Sequence, residues 1–127
     1  MVVDVIFLAP YALLLLRIII AIIFFSSGKS HMQNPEERGK SIGMSPAATT
    51  VLGAVELIAA ISIAFGLAAQ IGAAIIMMVM LGAMQKKIMV WKTGFYEEKG
   101  YGWHYDLLLF AGAFVILVTG GGLLVIF

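Results

Sequence analysis

The sequence predicts an all-α integral membrane protein, a bundle of four transmembrane helices running up-down-up-down. Three observations carry that expectation. The 127 residues are 62% hydrophobic and only 12% charged, against ~25% charged residues in a typical soluble domain, and the mean hydropathy is +1.06. The apolar residues fall into four runs, each near the ~20 residues that span a hydrocarbon core. Polar residues are too few to coat four amphipathic helices in water. Lipid is therefore the expected solvent for most of the surface, and a multi-pass place in the cell membrane the expected location. The length fits one membrane domain, residues 1–127.

The four helices are expected at about residues 5–27, 47–67, 68–90 and 105–127. The first run is broken only by Pro10 near its start and Arg17 in its middle. Met1-Val2-Val3-Asp4 lacks the positive n-region of a signal peptide, so this run is read as a retained helix. Pro35, Gly39, Gly43 and Pro46 rule out a continuous helix through the first loop. Ser45-Pro46 then reads as a helix start, Ser45 at the N-cap and Pro46 at the first helical position. The second and third runs meet in a tight turn around Gly66 and Gln70, which makes them antiparallel neighbours. The third run turns polar at Gln85, Lys86 and Lys87, and Asp106 lies in the first turn of the fourth. Trp91, Phe95, Tyr96, Tyr101, Trp103 and Tyr105 in the third loop fit an interfacial aromatic belt. Gly120-Gly121-Gly122 has no preceding strand and no Lys-Ser/Thr, so it reads as a helix exit and not a phosphate loop.

Charge and composition exclude several classes. A net charge of +1 provides no basic field for nucleic acid. The absence of cysteine excludes a dithiol mechanism, a cysteine-ligated iron–sulfur cluster and covalent haem attachment. Two isolated histidines do not make a metal site, and no metal is expected. The Met77, Met80 and Met84 stripe reads as packing. Arg17 apart, every Lys and Arg lies in or near the first and third loops. Read plainly, that asymmetry places those loops in the cytoplasm.

Arg17 and Glu56 are the sharpest feature. An ionisable group deep in a membrane helix costs at least ~2.5 kcal/mol on insertion scales and normally faces a partner inside the bundle. At ~1.5 Å per residue, Arg17 before the end of helix one and Glu56 after the start of helix two both lie ~15 Å from one membrane face. A buried salt bridge between them is the expectation. Two readings stay open: a pin that sets helix register, or a catalytic pair serving as a proton relay or anchoring a polar headgroup such as a quinone carbonyl. A second polar group gathers at the face carrying loops one and three: Lys29, His31, Gln85, Lys86, Lys87, His104, Tyr105 and Asp106. Of these, His31, Lys86, His104 and Tyr105 are the candidate substrate-binding residues at a mouth over the pair. The alternative is an ordinary interfacial collar of snorkelling lysines and anchoring aromatics.

Motif pieces now fall in an order that resembles the DoxX family of small four-helix membrane proteins. Arg17 precedes Phe24 and Gly28; Ile42-Gly43-Met44-Ser45-Pro46 leads into helix two; Leu52-Gly53-Ala54-Val55-Glu56 is followed ten residues later by Gly66. Gly94-Phe95, Gly102-Trp103-His104-Tyr105-Asp106 and Thr119-Gly120-Gly121-Gly122 complete the series. His31, Gln70 and His104 depart from the residues usual in the family, which is generally pictured with its termini in the cytoplasm. The resemblance implies a membrane subunit of a redox complex, like the quinone-linked subunit of a thiosulfate:quinone oxidoreductase. Acting with soluble or membrane redox partner subunits, it would have Arg17 and Glu56 lining a quinone site, with His31 and His104 at its mouth. The competing reading is a non-catalytic scaffold for a larger membrane assembly.

Overall fold

The computed structural model describes residues 3–96 and 102–122, and every regular element among them is helical. A single 3-10 turn, Ile6–Leu8, leads into α1 (Ala9–Gln33). A short α2 (Pro35–Ile42), α3 (Pro46–Phe65) and α4 (Ala69–Gln85) follow. A π-helical segment, Lys86–Val90, extends α4, and α5 spans Trp103–Thr119. Three stretches are long and apolar enough to cross a membrane: Ile6–Gln33, Pro46–Phe65 and Ala69–Val90. Trp103–Thr119 is apolar but shorter, at 17 residues. The last helix, expected to run to Phe127, ends at Thr119, because Gly120–Gly122 turn to positive φ; residues 123–127, and Lys99 and Tyr101 of the third loop, lie outside the described residues.

Local sequence accounts for most boundaries. Ser45 caps α3 by accepting a hydrogen bond from the Ala48 backbone N–H at 3.2 Å, and Pro46 opens the helix. Gly66, at φ 67°, ends α3 in the left-handed conformation, where the Leu67 N–H closes back onto the Ser62 carbonyl. Gly120, Gly121 and Gly122 all have positive φ, so the glycine run is a helix exit.

Helix one differs from expectation. It does not stop at residue 27 but runs two further turns to Gln33 and breaks at Asn34, ahead of Pro35. Pro35 then starts α2, a helix not foreseen in the first loop, and Gly39 lies inside it. Gly28 does not end α1 because it serves packing: a Cβ there would stand 2.7 Å from the Gly53 carbonyl oxygen of α3. The two glycines let the α1 and α3 backbones touch.

Each long helix presents one narrow buried stripe. On α1 it is Ile20, Ala21, Phe24 and Gly28; on α3, Gly53, Ala59, Ala60 and Ile63; on α4, Gly72, Ala73, Ile76 and Met80; on α5, Leu109, Ala113 and Ile116. Small residues dominate this core, as close helix approach requires when lipid supplies no hydrophobic driving force. The outward faces are equally apolar, with Ile22, Ile58, Ile71, Met78 and Leu108 all exposed. A helix apolar on every side is a membrane helix when its outer face is uncovered. Helix α3 lies between α1 and α4, and α4 packs in turn on α5. Gln70 near the start of α4 donates to the Leu117 carbonyl near the end of α5 at 2.8 Å.

Candidate functional site: a buried histidine–glutamate pair below the loops

The expected Arg17–Glu56 salt bridge is not formed. Arg17 is 1% exposed, and its guanidinium donates to main-chain carbonyls: Nε to Ile63 at 2.9 Å, Nη1 to Gly121 at 3.2 Å and Nη2 to Ala64 at 3.3 Å. Two geometric facts explain the miss. Helices α1 and α3 run antiparallel, with Gly28 level with Gly53 and Arg17 level with Ile63. At ~1.5 Å per residue that register leaves Glu56 about 12 Å from Arg17 along the helix axis. Side chains also lean toward the N-terminus of their own helix, so Arg17 and Glu56 lean away from each other.

What Arg17 does follows from where it leans. The last carbonyls of a helix have no partner within it and carry the negative end of its dipole. Ile63 and Ala64 belong to the last turn of α3, and Gly121 to the exit of α5. One planar fork of donors therefore satisfies two helix ends at once and ties three elements together.

The same lean brings His31 and Glu56 into contact. His31 lies one turn beyond the Gly28–Gly53 crossing toward the loops, and its side chain points back into the bundle. Glu56 lies one turn deeper, and its side chain points toward the loops. Nδ1 of His31 and Oε1 of Glu56 meet at 2.7 Å, with the two side chains only 6% and 2% exposed. The approach is close but off-line, and not a straight hydrogen bond.

Arg38, on α2, closes the cluster. Its Nη2 lies 3.3 Å from His31 Nε2. A guanidinium only donates, so this contact is a hydrogen bond when Nε2 carries the lone pair, which places the ring proton on Nδ1, facing Glu56. The buried Nε of Arg38 has no acceptor among the described residues. Gly39 makes the placement possible: a Cβ there would meet the Met44 carbonyl at 2.6 Å, so α2 folds back against the start of α3 only with glycine. Arg38 was not among the sequence candidates for the site. The available signal was Asn34-Pro35, a helix break and restart that folds the next basic residue back over His31.

The remaining candidates separate. Lys86 Nζ donates to the Ile42 carbonyl at 2.6 Å, capping α2 and tying it to the end of α4. Lys87 pairs with Asp106 at 2.9 Å, the carboxylate being 4% exposed, and its ammonium stands 5.9 Å from the centre of the Tyr105 ring. His104 lies in the first turn of α5, where its Nδ1 donates to the Phe95 carbonyl of the third loop and its ring lies 4.2 Å from that of Tyr96. His31 thus joins Glu56 and Arg38, whereas Lys86, His104 and Tyr105 are engaged elsewhere on the loop side.

Comparison with known proteins agrees with this architecture. Residues 12–91 match the family model described as DoxX, a stretch that runs from α1 to just past the π-helical segment. No curated protein and no solved structure matches the chain. With three long apolar helices in the structure and most of the chain matched, this is a multi-pass membrane protein that belongs to the DoxX family.

Proposed function

We propose that this chain is the membrane subunit of a redox complex, a bundle of four spans running up-down-up-down. It passes protons to a quinone headgroup while a partner subunit delivers the electrons. The observation that supports this most is the His31–Glu56 contact, 2.7 Å long and buried below the loops. An intramembrane ionisable group is costly and is kept for a function or a partner. An acid held against an imidazole, with a guanidinium on the other ring nitrogen, is suited to general acid–base work.

Quinone reduction takes up two electrons and two protons to give the quinol. The sequence carries no redox-cofactor motif, so the electrons come from a redox-active partner protein. On this reading Arg38 Nε, a buried donor with no acceptor among the described residues, binds one quinone oxygen and favours the charge that develops on it. His31 and Glu56 relay both protons in turn, each replaced from water on the loop side. Lys86, His104 and Tyr105 shape the loop-side surface around the headgroup without touching the reacting atoms, and Arg17 is structural.

A second reading, a non-catalytic scaffold in a larger membrane assembly, is favoured by the side chains held by main-chain carbonyls: Arg17, Gln70 and Lys86. Purification from native membranes in mild detergent separates the two, with every retained protein and quinone identified by mass spectrometry and quinone reduction compared for Glu56→Gln. The oxidoreductase reading expects a retained redox partner, normal abundance of Glu56→Gln and lost turnover. Activity that tracks abundance in every variant supports the scaffold instead.

A further inference from the structure

Between the Gly28–Gly53 crossing and the Arg17 tie, α1 and α3 leave an open apolar groove of about 300 Å³ on their outer side. Ile18, Ile22 and Phe25 form one wall, and Ala60, Ile61 and Ala64 the other. The groove exists because the two glycines bring the backbones together at one end while alanines leave the outer surface shallow below it. It is separate from the His31–Glu56 cluster, which occupies the inward face of the same helices.

Two polar groups stand at its loop-side end. Ser26 lines the groove, and Lys29, at helical spacing from Phe25 and Ser26, continues the same face one turn toward the loops. Both residues are exposed. Among the described residues neither side chain makes a hydrogen bond or ion pair, and Glu36 and Glu37 on neighbouring α2 do not reach Lys29. Helix α1 contains no acidic residue. A hydroxyl facing hydrocarbon without a partner is unfavourable, and a lysine near a helix end snorkels toward headgroups. Chain-shaped apolar space capped by a hydroxyl and a cation is complementary to one kind of molecule.

We propose that the α1–α3 groove is a binding site for an anionic phospholipid, its acyl chain in the groove, its glycerol region level with Ser26 and its phosphate on Lys29. The site rests on the membrane location of the chain and is independent of the redox reading.

The test is native mass spectrometry of the protein released from nanodiscs holding equal phosphatidylglycerol and phosphatidylcholine. The wild type is expected to retain phosphatidylglycerol about fivefold over phosphatidylcholine, the worth of one lysine at an anionic surface. Lys29→Gln is expected to abolish that preference, and Ala64→Leu, which fills the groove base, to lower retention of both lipids. Lys40→Gln removes an exposed cation on α2 away from the groove and is expected to leave the preference intact. Equal retention of the two lipids by the wild type overturns the proposal. So does a preference that survives Lys29→Gln, or one that falls equally with Lys40→Gln, which marks a general basic field. Circular dichroism of each variant identifies any that misfolds, and Ser26→Ala then supplies the second reading of the same site.

Discussion

Replacing Arg17 by leucine removes, among the described residues, three hydrogen bonds in one step; the carbonyls of Ala64 and Gly121 lose that donor, and the Ile63 carbonyl keeps only the Gly66 N–H at 3.3 Å. Interhelical hydrogen bonds in bilayers average ~0.6 kcal/mol and reach ~1.7, so three of them place the expected loss at about 2–5 kcal/mol. The upper half of that range is favoured because the donor is charged and two helix C-termini face it. Leucine also spares the bilayer a charge, worth at least ~2.5 kcal/mol on insertion. That gain applies to the inserted unfolded chain as well as the folded one and largely cancels on unfolding. Arg17→Lys keeps the charge but not the fork, and about half the loss is expected. Equilibrium unfolding in mixed micelles, titrated with dodecyl sulfate, measures both variants. An Arg17→Leu protein within ~0.5 kcal/mol of the wild type refutes the capping role, as does Arg17→Lys matching the wild type, which reduces the effect to charge alone.

Glu56→Gln is expected to unfold at the wild-type midpoint while quinone reduction by the purified complex falls about 10²–10⁴-fold, the usual worth of a general acid–base group; unchanged turnover removes Glu56 from the mechanism. Gly53→Ala puts a Cβ 2.7 Å from the Gly28 carbonyl, and the resulting overpacking is expected to cost about 1–3 kcal/mol in the same micelle titration. Lys87→Met alone leaves the Asp106 carboxylate buried without its cation, which should cost about 3–5 kcal/mol. The double variant Lys87→Met/Asp106→Leu should recover most of that, and simple additivity would show that the two groups do not interact. For the fourth crossing, single cysteines at Asp4, Glu37 and Thr119 are probed with an impermeant maleimide. Asp4→Cys and Thr119→Cys are expected to label from one side and Glu37→Cys from the other, while labelling of Thr119→Cys with Glu37→Cys rules out a fourth span.

The boundaries legible in the sequence were those set by one residue's own chemistry. Ser45 needs only its hydroxyl and the N–H of Ala48 to cap a helix, and Gly66 and Gly120 need only their freedom at positive φ. Gly28 was misleading for the opposite reason: its value lies in Gly53 on another helix, so the rule that glycine ends helices did not apply. Without Gly28 as an end, α1 grew by two turns, and the depth at which Arg17 was expected moved with it.

That shift decided the site. The positions of Arg17 and Glu56 within apolar runs were sufficient to show that they are expensive in a membrane and must find partners, since the cost of an unpaired polar group in hydrocarbon does not depend on the fold; His31 was expected at the loop face instead. Those positions could not show which partners. Pairing depends on the register of antiparallel helices and on the lean of each side chain toward its own N-terminus, and both are properties of two elements together. The sequence alone thus determined a multi-span apolar bundle with a few buried charges. Only the tertiary structure gave Arg17 to the helix ends and Glu56 to His31, because those contacts join residues 46 and 25 positions apart through a crossing set by two glycines.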